Sequence, residues 1–193
     1  ARNRKLKVLW IDAHADFNTP ASSPSGNLHG MGVAFLTGNN DLSRLLKDQA
    51  FPAVNPQDMT IIGARSIDAE EKRRIAIEGL GCIDMRAIDE FGICALMRQL
   101  LAGIDPATTD LHVSFDLDVL DPALAPGVGT PVEGGLTYRE AHLMMEMLHE
   151  SGMVTSLDVL ELNPMLDHAG QTTRAMIGLV ASLFGKTITT RTA

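Results

Sequence analysis

The residues best suited to chemistry stand just after two short apolar runs. Asp12, His14 and Asp16 follow Val8-Leu-Trp-Ile11 at alternating positions, with the small Ala13 and Ala15 between them. Extended backbone sends positions i, i+2 and i+4 to one side, so two carboxylates and an imidazole project together. Asp116 and Asp118 follow Leu111-His-Val-Ser-Phe115 at the same two-residue spacing. If the two runs are neighbours in one sheet, five ligand-type side chains converge on one crevice. Carboxylates packed this closely repel and raise one another's pKa unless a cation sits among them. An imidazole among several carboxylates is a hard, oxygen-rich set, favouring manganese or a related hydrolytic metal over a thiolate zinc site. The excess of carboxylates over the needs of one ion points to bridging ligands and two metals about 3.5–4 Å apart, which make hydroxide available as a nucleophile at neutral pH. Hydrolysis is the chemistry this implies. Asp121, placed before Pro122, reads instead as a turn residue.

The elements around these motifs support that placement. Val8–Ile11, Met59–Ile62, Leu111–Phe115 and Val154–Leu157 read as strands, with Gly81–Asp84 a weaker candidate. Short runs apolar on both faces belong in a parallel sheet covered by helices. Helices are expected over Asp41–Gln49, Ala69–Glu78, Ala87–Gly103, Thr137–Ser151 and Thr172–Phe184. Thr137 with Glu140 three residues on forms a capping box that opens the fourth. Strands alternating with helices predict an α/β fold, a parallel doubly wound sheet with helices on both faces. Ligands then sit beyond the carboxyl ends of the strands, where the metal site is expected. No linker or repeat divides the chain, so residues 1–193 are read as one domain. The polar, Pro/Gly-rich stretch from Thr19 to Gly32 is a long loop of the kind that often carries function.

Composition narrows the classes further. Acidic residues outnumber basic ones 24 to 16, a net charge of −8 that disfavours nucleic acid and anionic membranes as partners. The longest apolar stretch, Ala175–Phe184, is too short to cross a bilayer and is interrupted by Gly178. Two cysteines, Cys82 and Cys94, make neither a disulfide scaffold nor a zinc spacing, and a cytoplasmic setting is expected.

At its metal motifs the sequence resembles the ureohydrolase family, and most closely its arginase branch. Asp12-Ala-His14-Ala-Asp16 and Ser114-Phe-Asp116-Leu-Asp118 both match. So do Ser25-Gly-Asn27-Leu-His29-Gly30, Gly63-Ala-Arg65-Ser-Ile-Asp68-Ala-Glu-Glu71, Gly129-Thr130-Pro131 and Leu157-Asp-Val-Leu-Glu161-Leu-Asn-Pro164, in family order from Lys7 to Gly185. The resemblance implies two Mn2+ bridged by Asp12 and Asp116, with Asp16 completing one site and His14 and Asp118 the other. It implies a metal-activated hydroxide attacking the guanidinium carbon of L-arginine, giving L-ornithine and urea. In that scheme Asp118 passes a proton to the leaving amine and His29 shuttles protons, its ordinary pKa lying near neutrality. Glu161 pairs with the substrate guanidinium, carboxylate against planar fork, and Thr130 lines the same pocket. Asn18, Ser25 and Asn27 bind the α-carboxylate, while Asp68 and Glu71 receive the α-amino group or cap a helix. A homo-oligomer, trimeric or hexameric, is also implied.

One family feature is absent from these residues. Members carry an amino-terminal Gly-Gly-Asp-His motif whose histidine binds the same metal as Asp16, and the 193 residues contain no such motif. The chain opens at Ala1 and enters an apolar strand almost at once. By the resemblance it is the carboxyl-terminal two-thirds of such a protein, with one metal site short of a histidine and an apolar sheet edge exposed. Agmatinase or another ureohydrolase, and an inactive truncated fragment, stand as the alternatives.

Overall fold

The computed structural model describes residues 4–39, 52–187 and 189. The helix expected over Asp41–Gln49 lies outside the described residues. Strands β1 (Lys5–Ile11), β2 (Met59–Ala64), β3 (Gly81–Asp84), β4 (Thr109–Asp116) and β5 (Val154–Leu160) form one parallel sheet in the order β3-β2-β1-β4-β5. The direction of winding reverses between β1 and β4, and such a reversal leaves a crevice above the carboxyl ends of the two strands. Ile11 is in register with Ile62 on one side and Phe115 on the other. Asp12 and Asp116 therefore leave the sheet side by side.

Helices α1 (Gly32–Leu36), α2 (Ala69–Glu78), α3 (Met85–Phe91), α4 (Ile93–Ala102), α5 (Tyr138–Ser151) and α6 (Gln171–Leu183) cover the two faces. On one face Leu9, Ile11, Val113 and Phe115 pack with Met97, Met144, Leu148 and Leu179 from α4, α5 and α6. On the other, Val8, Trp10, Met59 and Ile61 pack with Val33 and Ala34 from α1 and Ile75 from α2. Removing this apolar surface from water is the dominant favourable term for the sheet.

Two expectations need correction. The single helix expected over Ala87–Gly103 is two, α3 and α4, because Gly92 at φ +76° breaks it. A left-handed residue cannot continue a right-handed helix, and glycine takes that conformation without a Cβ penalty. Burial on both faces holds for the inner strands, whereas β3 and β5 lie at the edges and alternate between half-buried and exposed. The exposed residues of β5 include Thr155, Ser156 and Asp158, with Leu160 at the end, so this edge is mostly polar instead of apolar. His112 and Ser156 hydrogen-bond across β4 and β5 at 2.8 Å. The capping box at Thr137 forms: its hydroxyl accepts from Glu140 N, and the Glu140 carboxylate accepts from Thr137 N at 2.8 Å. Among the described residues no helix is long and apolar enough to cross a membrane.

Candidate metal centre

Beyond β1 the chain bends at Asp12 and Ala13, and His14 then bridges to Ser66 beyond β2. It turns again at Asp16, which adopts φ +49°, a conformation uncommon for a residue with a Cβ. The strand-like run assumed through Asp16 therefore ends at Ile11. What holds the turn is visible: Phe17 N donates to Glu71 Oε1 at 2.9 Å, and the Arg74 guanidinium both donates to Phe17 O at 2.6 Å and stacks 4.1 Å above its ring. The second motif also departs from a strand. Residues Leu117–Val119 form a 3-10 turn, capped by Asp116, whose Oδ1 accepts from Asp118 N at 2.9 Å. The tighter turn still brings Asp118 beside His14.

Asp12, His14 and Asp118 each offer a ligand atom, and these atoms all lie within 4.8 Å of one another. His14 Nδ1 is 3.0 Å from Asp118 Oδ2 and 3.4 Å from Asp12 Oδ1. Asp118 Oδ1 accepts from Ala13 N at 3.1 Å, so the second motif grips the backbone of the first. Asp16 and Asp116 open onto the same crevice, a space of about 160 Å³, without joining that closest cluster. Asn18, Ser25, His29, Asp68, Thr130 and Glu161 also line it, as anticipated.

Asn27 and Glu71 do not. Glu71 is buried, with one oxygen on Phe17 N and the other accepting from Asp68 N at 2.9 Å, which spends it on the turn and the start of α2. Asn27 is exposed outside the lining. Asn18 lines the crevice with its amide already committed, donating to Asp68 Oδ2 and accepting from Ser22 Oγ, each at 2.9 Å. Glu161 sits at φ +66°, and a Cβ on Gly129 would lie 2.9 Å from its Oε2, so the glycine leaves the carboxylate room. Thr130 Oγ1 donates to Asp118 Oδ2 at 3.1 Å.

Sequence reading missed Ser23 and Ser66 in the lining, and the indole of Trp10, which donates to Asp12 Oδ2 at 2.9 Å. The last was readable, because Trp10 and Asp12 stand two apart on one side of a strand. The serines carried no signal apart from the folded loop.

The electrostatics fit a cation. Burial, then the charges of Asp12 and Asp118, push Asp116 up to about 9. Burial and the Asp12 charge push Asp16 up to about 8, and burial, aided by Asp118, raises Asp12. Hydrogen bonds to Asp118 and then Asp12 carry His14 up to about 10. For Asp118 burial acts upward, but the hydrogen bond and charge of His14 outweigh it and hold the carboxyl below its ordinary value. Two carboxyls that keep their protons at neutral pH, Asp16 and Asp116, with a third shifted upward, form a cluster that a divalent ion would discharge. One imidazole nitrogen among carboxylate oxygens is the donor set of a hard hydrolytic metal, and the residues fit such a group.

A family profile described as the arginase family matches residues 1–185. Arginase from Brucella melitensis is 47% identical over 190 residues, covering 98% of this chain and 62% of that protein. Arginase from Agrobacterium fabrum is 50% identical over 181 residues, covering 94% of this chain and 55% of its own length. The crystal structure of arginase from Bacillus caldovelox superposes with a TM-score of 0.90 at 43% identity, covering 96% of this chain and 62% of that one. The chain thus spans about three-fifths of the length of the curated relatives it matches. With the family profile matched over residues 1–185, relatives 47–50% identical and the fold shared with a solved arginase, this chain belongs to the arginase family.

Proposed function

We propose that this protein hydrolyses L-arginine to L-ornithine and urea at a manganese centre held by Asp12, His14, Asp16, Asp116 and Asp118, within a single domain. The observation that carries the reading is the buried cluster of Asp12, His14 and Asp118 opening into a crevice whose remaining lining is hydrogen-bonding side chains. A divalent metal bound there supplies Lewis acidity and acidifies water enough for hydrolysis at neutral pH.

The chain's own residues divide the remaining work. Glu161 accepts hydrogen bonds from the planar guanidinium and fixes its orientation. Asp118, hydrogen-bonded by Thr130, takes up a proton and returns it to the leaving amine, the guanidinium carbon–nitrogen bond breaking as the amine gains it. His29 carries the surplus proton from the crevice to solvent. Ser25 and Asp68 face the amino-acid end, with Asn18 fixing Asp68 in place. Glu71 contributes by holding the turn at Asp16 and Phe17.

The test is urea release from L-arginine and from agmatine, which lacks the α-carboxylate, with manganese present. Release from L-arginine with little from agmatine is expected, since a polar group left without its partner is costly. Preference for agmatine would assign the chain to a sister activity. Bound manganese with no urea from either would overturn the reading.

A further inference from the structure

We propose that Arg65 is a positioning residue that locks the two metal motifs together, setting Asp118 and Thr130 against Asp12 and His14. The proposal rests on the hydrolase reading for its consequence in catalysis, but not for its consequence in metal binding. Arg65 stands just past β2, and its own N–H donates to Ala13 O at 2.9 Å, between the two first-motif residues. Its guanidinium reaches the other motif. Nη2 donates to Asp118 O at 2.8 Å, and Nη1 to Val119 O at 3.1 Å. The same group gathers the loop after Thr130, with Nη2 to Val132 O at 2.6 Å and Nε to Glu133 O at 3.1 Å. One residue thus ties the Asp118 turn and the Thr130 loop, through its guanidinium, to the backbone between Asp12 and His14, through its own N–H.

The surroundings are shaped to this side chain. A Cβ on Gly135 would come within 2.6 Å of Arg65 Nη2 and 2.5 Å of the Leu120 carbonyl carbon. Carbonyl oxygens from several segments require a planar fork with donors on each nitrogen, which a lysine ammonium cannot reproduce. Arg4 provides an internal comparison at the opposite end of the sheet. It also gathers carbonyls, donating to Thr109 O at 2.6 Å and Pro106 O at 2.9 Å, but none of its partners borders the crevice. Arg4 ties strand starts together, whereas Arg65 ties ligands together.

The experiment compares Arg65→Lys, Arg65→Gln and Arg4→Lys with the parent protein, measuring manganese binding by equilibrium dialysis and thermal melting without metal. Arg65→Lys should weaken manganese binding about 10–100-fold, the usual effect of losing support behind a metal ligand. Arg4→Lys should lower the melting temperature and leave manganese affinity at the parent value. Excess manganese should restore urea release to Arg65→Lys, a rescue that general loss of structure would not give. Parent-like manganese affinity in a folded Arg65→Lys would overturn the proposal. Should Arg65→Lys fail to fold, Arg65→Gln decides, because its amide keeps a donor toward the Asp118 turn and loses the fork: weakened manganese binding supports the proposal and parent-like binding overturns it. A parent that binds manganese but makes no urea would sink the hydrolase reading alone.

Discussion

The two flanks of the crevice are built on different principles. On the β1–β4 flank Asp12, Asp116 and Asp118 are buried, backed by Ala13, Ala15 and Phe17 at 0% exposure. On the β5 flank Glu161 is exposed, the Asp158 side chain is 65% accessible, and Leu160 and Met165 face solvent at 41% and 89%. The first flank concentrates charge in a low-dielectric setting, where acids hold protons until a cation replaces them. The second holds its crevice-lining carboxylate by backbone conformation, Glu161 at φ +66° beside Gly129, in a setting where water screens charge. The proposed function accordingly assigns metal binding to the enclosed flank and substrate orientation to the open one.

Asp116→Ala gives the largest effect this contrast predicts. Removing a carboxylate shared by the metal-binding flank should abolish urea production and strip the metal, as read by elemental analysis; normal metal content would break the assignment. Glu161→Gln should separate the flanks, raising KM for L-arginine by about tenfold, the equivalent of one lost charge-assisted hydrogen bond, with metal content unchanged. Loss of metal in that variant would mean that the division of labour is wrong.

The enclosed flank also has a pH signature in the metal-free protein. Asp16 near 8 and Asp116 near 9 lie above their unfolded value of 3.8, so the folded chain holds protons there that the unfolded chain releases. Stability from these groups is fully present below the unfolded value and is lost as pH rises through about 8 and then 9. The metal-free melting temperature should fall between pH 5 and 9, and manganese should flatten the curve. A melting temperature that rises across this range without metal would contradict the buried-acid account. The smallest effect lies far from both flanks: Thr137→Ala removes a cap from α5 and should cost about 1 kcal/mol with manganese affinity unaltered.

The sequence carried the parts that depend on local pattern. The strands bearing Asp12 and Asp116 show as apolar runs, and strand alternation with helices yields the parallel sheet and places its chemistry at the carboxyl ends. The proposed ligands stand out by residue type and spacing, and two of them are reached otherwise than along an extended backbone. Asp16 is reached through a left-handed turn and Asp118 through a 3-10 turn, both stabilised by side chains distant in sequence. The resemblance gives Glu71 either to the substrate α-amino group or to a helix cap, and its oxygens accept from the Phe17 and Asp68 amides, the second bond being part of a capping box. Arg65 is the clearest case of what pattern conceals. Its partners at Asp118 and Val132 lie 53 and 67 residues away along the chain, and carbonyl oxygens have no residue type to read.

The central claim is that the enclosed flank is a metal centre, and the most direct test is manganese per chain after exhaustive dialysis, measured by elemental analysis alongside the intact mass. The account predicts at least one tightly held ion per chain in the parent and none in Asp116→Ala. A parent chain of correct mass that emerges folded and free of manganese would contradict it.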